Sequence, residues 1–278
     1  MSTPSIFDNS HDLNELRVAI ARLEAPSLTI RLANFIGSPI EKALDKLPRS
    51  ASDKIQKAVH AALNKAVAAA LWTMDKEGAA KPYARTHSAA AAASGAVGGF
   101  FGLAGTLVEL PVSTTIMMRS VADIARSEGF SLSDPAIQAE CIQVFAMGGA
   151  SKEDDAAESA YYALRTALTE VAKETGRALA ATAASQAASG FTLTPAQAAV
   201  WLANIIEAVA KRFGIKITEK IAAQAAPVIG AVSGAAINTL FINHYQDMAR
   251  GHFAIKRLEL KYGADAVRLA YQQVRNGS

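Results

Sequence analysis

Three groups of polar residues interrupt sequence that is otherwise apolar, and their types could do chemistry. Glu109 follows a long uncharged run and stands two positions before Pro111. Arg119 and Asp123 lie one helical turn apart, so they can pair on one helix face. An isolated buried charge is very costly; pairing is therefore the expected state, and a Glu109–Arg119 contact across a bend at Pro111 is a second arrangement. The second group is Asn238, His244 and Asp247. An imidazole and a carboxylate three residues apart can form an acid–base pair or begin a metal site. A third ligand, His252 or His87, would have to approach in three dimensions; a hydrogen-bonded helix end is the ordinary alternative. The third group is Lys256, Arg257 and Lys261, set among Phe253, Leu258, Leu260 and Tyr262. It reads as an amphipathic helix that either touches anionic lipid or faces water.

Familiar catalytic signatures do not accompany these groups. Gly98-Gly99-Phe100-Phe101-Gly102 lacks the Lys-Ser/Thr of a phosphate-binding loop and a preceding strand. No HExxH or GxSxG occurs. The single cysteine, Cys141, excludes an intramolecular disulfide framework and a cysteine-based zinc site, and its apolar neighbours point to a buried, inert thiol. No catalytic residue, resident metal or cofactor is assigned from the sequence.

Helices must position these residues, because nearly every break in the chain reads as a helix start or stop. Residues 10–24 form a short amphipathic pattern ended by Ala25-Pro26. Ser27 to Leu47 forms a second, interrupted at Gly37-Ser38-Pro39. Ser52 to Met74 carries Ile55, Val59, Leu63, Val67 and Leu71 at four-residue intervals. Asp134-Pro135 and Thr194-Pro195 each pair a capping residue with proline. The first opens a helix to about Met147 and the second a helix to Phe213, with Gly214 as its C-terminal cap. Glu153 to Ala188 reads as one long helix between them. Thr218 begins another, and Phe253 to Tyr262 precedes a last helix from Ala264 to Arg275. With no convincing hairpin, the fold expected is all-α: a single compact multi-helix domain with glycine/alanine-rich central helices.

Two long uncharged runs, His87 to Val108 and Ile221 to Tyr245, exceed the ~18 residues that nominate a membrane span. Insertion energy comes mainly from Leu, Ile, Phe and Val, and the first run is mostly Ala and Gly. Glycines at small-xxx-small spacing, Gly95/Gly99, Gly98/Gly102 and Gly230/Gly234, instead let helix backbones approach closely. The runs read first as core helices, with exposure to a bilayer or spanning as alternatives. Aromatics are only 6% of the 278 residues. Such a core relies on close helix approach, with Trp72, Phe100, Phe101, Phe130, Trp201 and Phe241 as anchors.

Net charge is +3 overall, −6 over residues 109–175 and +6 over 211–278. A basic C-terminal quarter suits an anionic lipid surface or an acidic partner. No nucleic-acid motif accompanies it, and no nucleic-acid partner is expected. The N-terminal MSTPSIFDNSHDLNEL lacks the basic start and apolar run of a signal peptide, so a cytoplasmic protein is expected, in the peripheral case at the inner face of the cytoplasmic membrane.

Several motifs in order carry a family resemblance. They are Gly98 to Ala104, Glu109-Leu110-Pro111, Arg119 to Ala125, Gly129-Phe130 and Asp134-Pro135. Lys220 to Gln224, Pro227 to Ala231, Ala235 to Asn238 and the Phe253 to Gly263 helix continue it. Across roughly residues 25–265 the chain resembles the EcsC family, a bacterial group associated by label with ABC transporters; Glu128 replaces a frequent aromatic before Gly129. The resemblance implies a helical fold at 25–278, behind an N-terminal helical extension at 1–24, and a link to membrane or export physiology. It brings no catalytic residues. The function expected is non-enzymatic: membrane association, or binding of anionic lipid or an apolar ligand. A hydrolase or metal-dependent enzyme using Glu109, Asp123, His244 or Asp247 is one alternative, requiring a pocket that gathers at least two of them. A protein partner of an ABC transporter or other membrane complex is another.

Overall fold

The first two helices begin where short polar side chains take up free backbone N–H groups. Asn9 accepts from His11 and Asp12 at the start of α1 (Ser10–Leu23), and Ser27 accepts from Ile30 at the start of α2 (Leu28–Ile36). Gly37 ends α2 with φ +66°, a left-handed conformation that favours glycine. The short α3 (Ile40–Leu44) and the long α4 (Ala51–Leu71) follow. These elements come from a computed structural model that describes residues 5–37, 39–45, 47, 51–71, 102–148, 159–184, 194–224 and 231–277. Much of the first uncharged run, with Trp72, His87, Gly95, Gly98, Gly99, Phe100 and Phe101, lies outside the described residues, as do Ser38 and Gly230.

Beyond that run, α5 (Gly102–Ser127) contains Pro111, and α6 (Pro135–Gln143) starts on an Asp134 cap with proline in its first turn. A 3-10 turn, Val144–Ala146, carries the chain to Gly148. Then come α7 (Ala160–Ala184), α8 (Pro195–Gln224), α9 (Ala231–Tyr262) and α10 (Ala264–Arg275). At the start of α8, Thr194 and Gln197 exchange hydrogen bonds in a capping box. No strand occurs among the described residues, and the fold is all-α. No described helix is long and apolar enough to cross a membrane.

Three expectations fail on backbone continuity. Gly214 does not cap a helix ending at Phe213, and Thr218 does not start another; α8 runs through both to Gln224. Gly214 serves packing instead, since a Cβ there would lie 2.3 Å from the Gln56 side-chain amide of α4. Thr218 returns its hydroxyl to the Gly214 carbonyl, as a mid-helix threonine does. Likewise Pro111 does not fold α5 back on itself. Ten residues along a continuous helix are about 15 Å, so Glu109 and Arg119 cannot meet across a bend.

The core is built by α4, α5, α8 and α9, with α1 against α9 and α7 against α8. Its aromatic centre is Phe145, Phe213, Phe241 and Tyr245, with Phe145 stacked on Tyr245 at 5.1 Å. Of the expected anchors, Phe241 is buried and Phe130 and Trp201 are half-buried. Gly251 lets α1 and α9 approach closely: a Cβ there would lie 2.7 Å from Cγ of Leu23 and 3.1 Å from the Ala19 carbonyl oxygen. Gly251→Ala should therefore destabilise the fold by about 1–3 kcal/mol. Gly214→Ala should change stability by less than about 1 kcal/mol, because a flexible glutamine can move and alanine favours helix. Urea unfolding of the two variants compares them, and equal losses would refute this account of the glycines.

Candidate functional site

Three of the buried polar places lie along α9. Deep between α5, α8 and α9, the Glu109 carboxylate accepts from Lys220 Nζ at 3.2 Å and from Asn238 Nδ2 at 2.8 Å. Lys220 is 1% exposed and its ammonium lies over the Phe241 ring, 5.5 Å from the centroid. Burial pushes the Lys220 pKa down, while Glu109 opposes that shift. One turn before Glu109, Thr106 donates to Gln224 at 2.8 Å. Three helices are thereby locked in one register.

A second network joins α6, α7 and α9. His252, fully buried, has Nε2 2.9 Å from Glu140 and Nδ1 3.0 Å from the Tyr161 hydroxyl. Lys256 holds the other Glu140 oxygen at 2.8 Å. Burial alone would raise the Glu140 carboxyl, but His252 and Lys256 hold it well below the ordinary range. Burial also lowers His252 and raises Tyr161. The protonation pattern is thus a neutral imidazole, donating from Nε2 to a carboxylate and accepting from a phenol at Nδ1. Arg165 donates to the Tyr161 hydroxyl and grips Glu259 through two bonds of 2.6 and 3.0 Å. Tyr161 stacks on Tyr271, whose hydroxyl reaches Glu24 at 2.6 Å.

His244 is the third place, and it is unlike the others. It is 1% exposed, and neither ring nitrogen makes a well-formed hydrogen bond, though the Met147 backbone comes within reach of the ring. Burial, then the nearby charges of Arg31 and Lys216, push its pKa down to about 4, with the Met147 backbone opposing. The imidazole is therefore neutral at pH 7. Its Cε1–Nε2 edge lies against Gly148, where a Cβ would come within 2.2 Å of both atoms. Gly148 also has φ +76°, so this position requires glycine on two counts.

The sequence-predicted groups are redistributed by this packing. Asn238 serves Glu109, and Asp247 pairs with Arg250 at 3.6 Å. Asp123 lies 3.5 Å from Arg126, and Arg119 donates to the Ala69 carbonyl at 2.9 Å. Lys256, Arg257 and Lys261 each meet carboxylates: Glu140 for Lys256, Glu15 and Glu128 for Arg257, and Asp12 for Lys261. Lys261 and Tyr262 draw the Asp12 carboxyl down to about 2. Gly102 opens α5, and Gly234 is buried in α9. Cys141 is buried, and burial raises its thiol pKa. Glu140, Tyr161, Arg165, Lys220 and Glu259 went unread in the sequence as site residues. Only Lys220 carried a signal, a lone cation at the edge of the second uncharged run.

A cleft of about 240 Å³ opens beside the second and third places. The α1–α2 turn, from Leu23 to Ser27, and Ile30 form one wall. Ala160, Tyr161 and Leu164 of α7 form another, and Met147, Gly148 and Met248 close the inner side. Among the described residues its one charged lining residue is Glu24, which is exposed. A hollow of about 570 Å³ elsewhere has all its described lining residues between Thr29 and Glu41, in one stretch of chain. The cleft has walls from four parts of the fold and is the better candidate.

The matching metal-ligand geometry that acidic clusters sometimes offer is already spent in ion pairs. His11, Asp12 and Glu15 come together near the start of α1, but Asp12 is held by Lys261 and Tyr262 and Glu15 by Arg257. No curated protein and no solved structure matches the chain. Residues 11–258 match the EcsC protein family, and the chain belongs to it.

Proposed function

We propose that this EcsC-family protein binds a compact amphiphile, neutral or cationic, in the cleft between the α1–α2 turn and α7. The cleft itself is the observation that carries this reading. Leu23, Ile30, Leu164, Met147 and Met248 give it an apolar lining, while Glu24 and Ser27 supply polar groups at the α1–α2 turn. At about 240 Å³ it falls below the usual ~300–1,000 Å³ of small-molecule pockets. That size favours a short chain, or one end of a longer molecule, over a whole lipid. With a carboxylate and no cation among the described lining residues, an amine or alcohol head fits better than a carboxylate head.

Peripheral binding to anionic lipid through Lys256, Arg257 and Lys261 draws less support, because all three are already in ion pairs. The apolar cleft, not the charge of that helix, is what links the protein to membrane-derived ligands.

Saturation-transfer NMR with n-octylamine, octanol and octanoate tests the reading. Octylamine and octanol should give transfer, and octanoate should bind several-fold more weakly. Leu164→Trp fills the cleft and should abolish all three signals with the fold intact. Glu24→Gln keeps an acceptor for Tyr271 and should erase the preference for the amine. Binding unaffected by Leu164→Trp would place any ligand elsewhere and end the proposal.

A further inference from the structure

His252 stands in a chain of hydrogen bonds whose direction is fixed at both ends. The ionised Glu140 can only accept at Nε2, and Arg165 can only donate to the Tyr161 hydroxyl. Among the described residues the Tyr161 proton therefore has one acceptor, Nδ1 of His252. Charge is balanced too. Glu140 of α6 is paired with Lys256 of α9 at 2.8 Å, and Arg165 of α7 with Glu259 of α9. From α10, Tyr271 stacks on Tyr161 and carries no charge at neutral pH.

A second proton on the imidazole has no place in this arrangement. A hydrogen on Nδ1 would face the hydroxyl hydrogen of Tyr161. The hydroxyl could present a lone pair instead only by aiming its hydrogen where the described residues offer no acceptor. The proton would also add an unbalanced positive charge to a fully buried ring that lies between two cations, Arg165 and Lys256. Burial, with Arg165 and Lys256, already holds the His252 pKa below the ordinary histidine value against the pull of Glu140. The consequence reaches the cleft. Tyr161 belongs to its α7 wall, and Tyr271, stacked on Tyr161, donates its hydroxyl to Glu24 of the α1–α2 wall. Both walls are tied to the tyrosine that His252 orients.

We propose that His252 is an acid-operated release for the cleft: on taking up one proton it lets go of Tyr161, both walls loosen and the bound amphiphile leaves. The neutral ring is the form that holds Tyr161, so binding is full at neutral pH and weakens as pH falls through the His252 pKa. Linkage requires the converse, that a bound ligand lowers that pKa. The inference rests on the amphiphile reading for its ligand and on the His252 network alone for its movement.

The test uses octanol, whose charge does not change with pH. Nitrogen-15 NMR of labelled histidines follows His252 from about pH 7 down to the acid unfolding transition. Octanol affinity should fall below the His252 midpoint by up to about tenfold per pH unit, the limit for one proton, and saturating octanol should move the midpoint down. In ligand-free protein, carbon-13 ring signals of Tyr161 and Tyr271 should shift with the same midpoint. His252→Gln keeps a donor for Glu140 and an acceptor for Tyr161 but takes up no proton. It should bind octanol at pH 7 and hold that affinity in acid, whereas Glu24→Gln should keep the pH dependence. A His252 that stays neutral until unfolding, tyrosine signals that ignore its titration, or octanol affinity unchanged across its midpoint overturns the inference and leaves the amphiphile reading standing. Acid loss of binding that persists in His252→Gln also overturns it, and assigns the proton to His244 or Glu24. Absence of octanol binding at every pH ends the amphiphile reading instead, and the tyrosine signals then decide the wall movement by themselves.

Discussion

Lys220→Met should destabilise the protein by about 3–5 kcal/mol, the usual cost of leaving one member of a buried ion pair behind. Methionine nearly matches the aliphatic stem of lysine, so packing against Phe241 survives and the loss reports on charge. What remains is the Glu109 carboxylate, 8% exposed, with the Asn238 amide at 2.8 Å and the Lys220 ammonium gone. The double variant Glu109→Gln/Lys220→Met should recover most of that loss. Glutamine retains an oxygen for Asn238 and carries no charge, and uncharged replacements of buried pairs are often neutral or stabilising. Urea midpoints at constant m-value give the comparison. If the double variant is no better than Lys220→Met, the pair does not act through charge and the account of this interior site fails.

Arg165→Leu should cost about 3 kcal/mol, for a related reason with a different geometry. Its guanidinium meets Glu259 with two parallel bonds, donates to Tyr161 and lies 5.4 and 5.6 Å from the Tyr161 and Tyr162 ring centroids. Leucine leaves Glu259 without its partner and Tyr161 without a donor. Arg165→Lys should recover less than half of the loss, because an ammonium cannot reproduce the planar fork. Thermal unfolding of the pair of variants measures this, and full rescue by lysine would show that charge alone matters there. Since Tyr161 also lines the cleft, octylamine binding should weaken in Arg165→Leu along with stability.

Local signals were legible in the sequence wherever backbone chemistry alone decides. Asp134-Pro135 and Thr194-Pro195 are the starts of α6 and α8, and Gly37 and Gly263 stand at real breaks. Gly214 misled because a glycine that stops a helix and a glycine that admits a neighbour look alike in one dimension. Only the approach of Gln56, 158 positions away in the chain, distinguishes them. The polar groups follow the same logic. Glu109 was identifiable as a charge in need of a partner, but its partner Lys220 arrives from another helix. His244 was visible as a candidate ligand, and the search around it looked to Asp247 and other histidines.

Helix α9 runs unbroken for 32 residues, and nearly every polar station of the interior is threaded on it. Asn238 meets Glu109 near its beginning, His244 and Met248 face Gly148, His252 and Lys256 meet Glu140, and Lys261 and Tyr262 close on Asp12. Such a rod behaves as a camshaft. One residue inserted near Asn238 would turn everything downstream by about 100°, disengaging four stations on three partner helices and a turn at once. Substitutions along α9 can be absorbed one at a time, whereas a change in its length cannot. Variation in length within this architecture should therefore gather at its two ends, before Ala231 and after Tyr262.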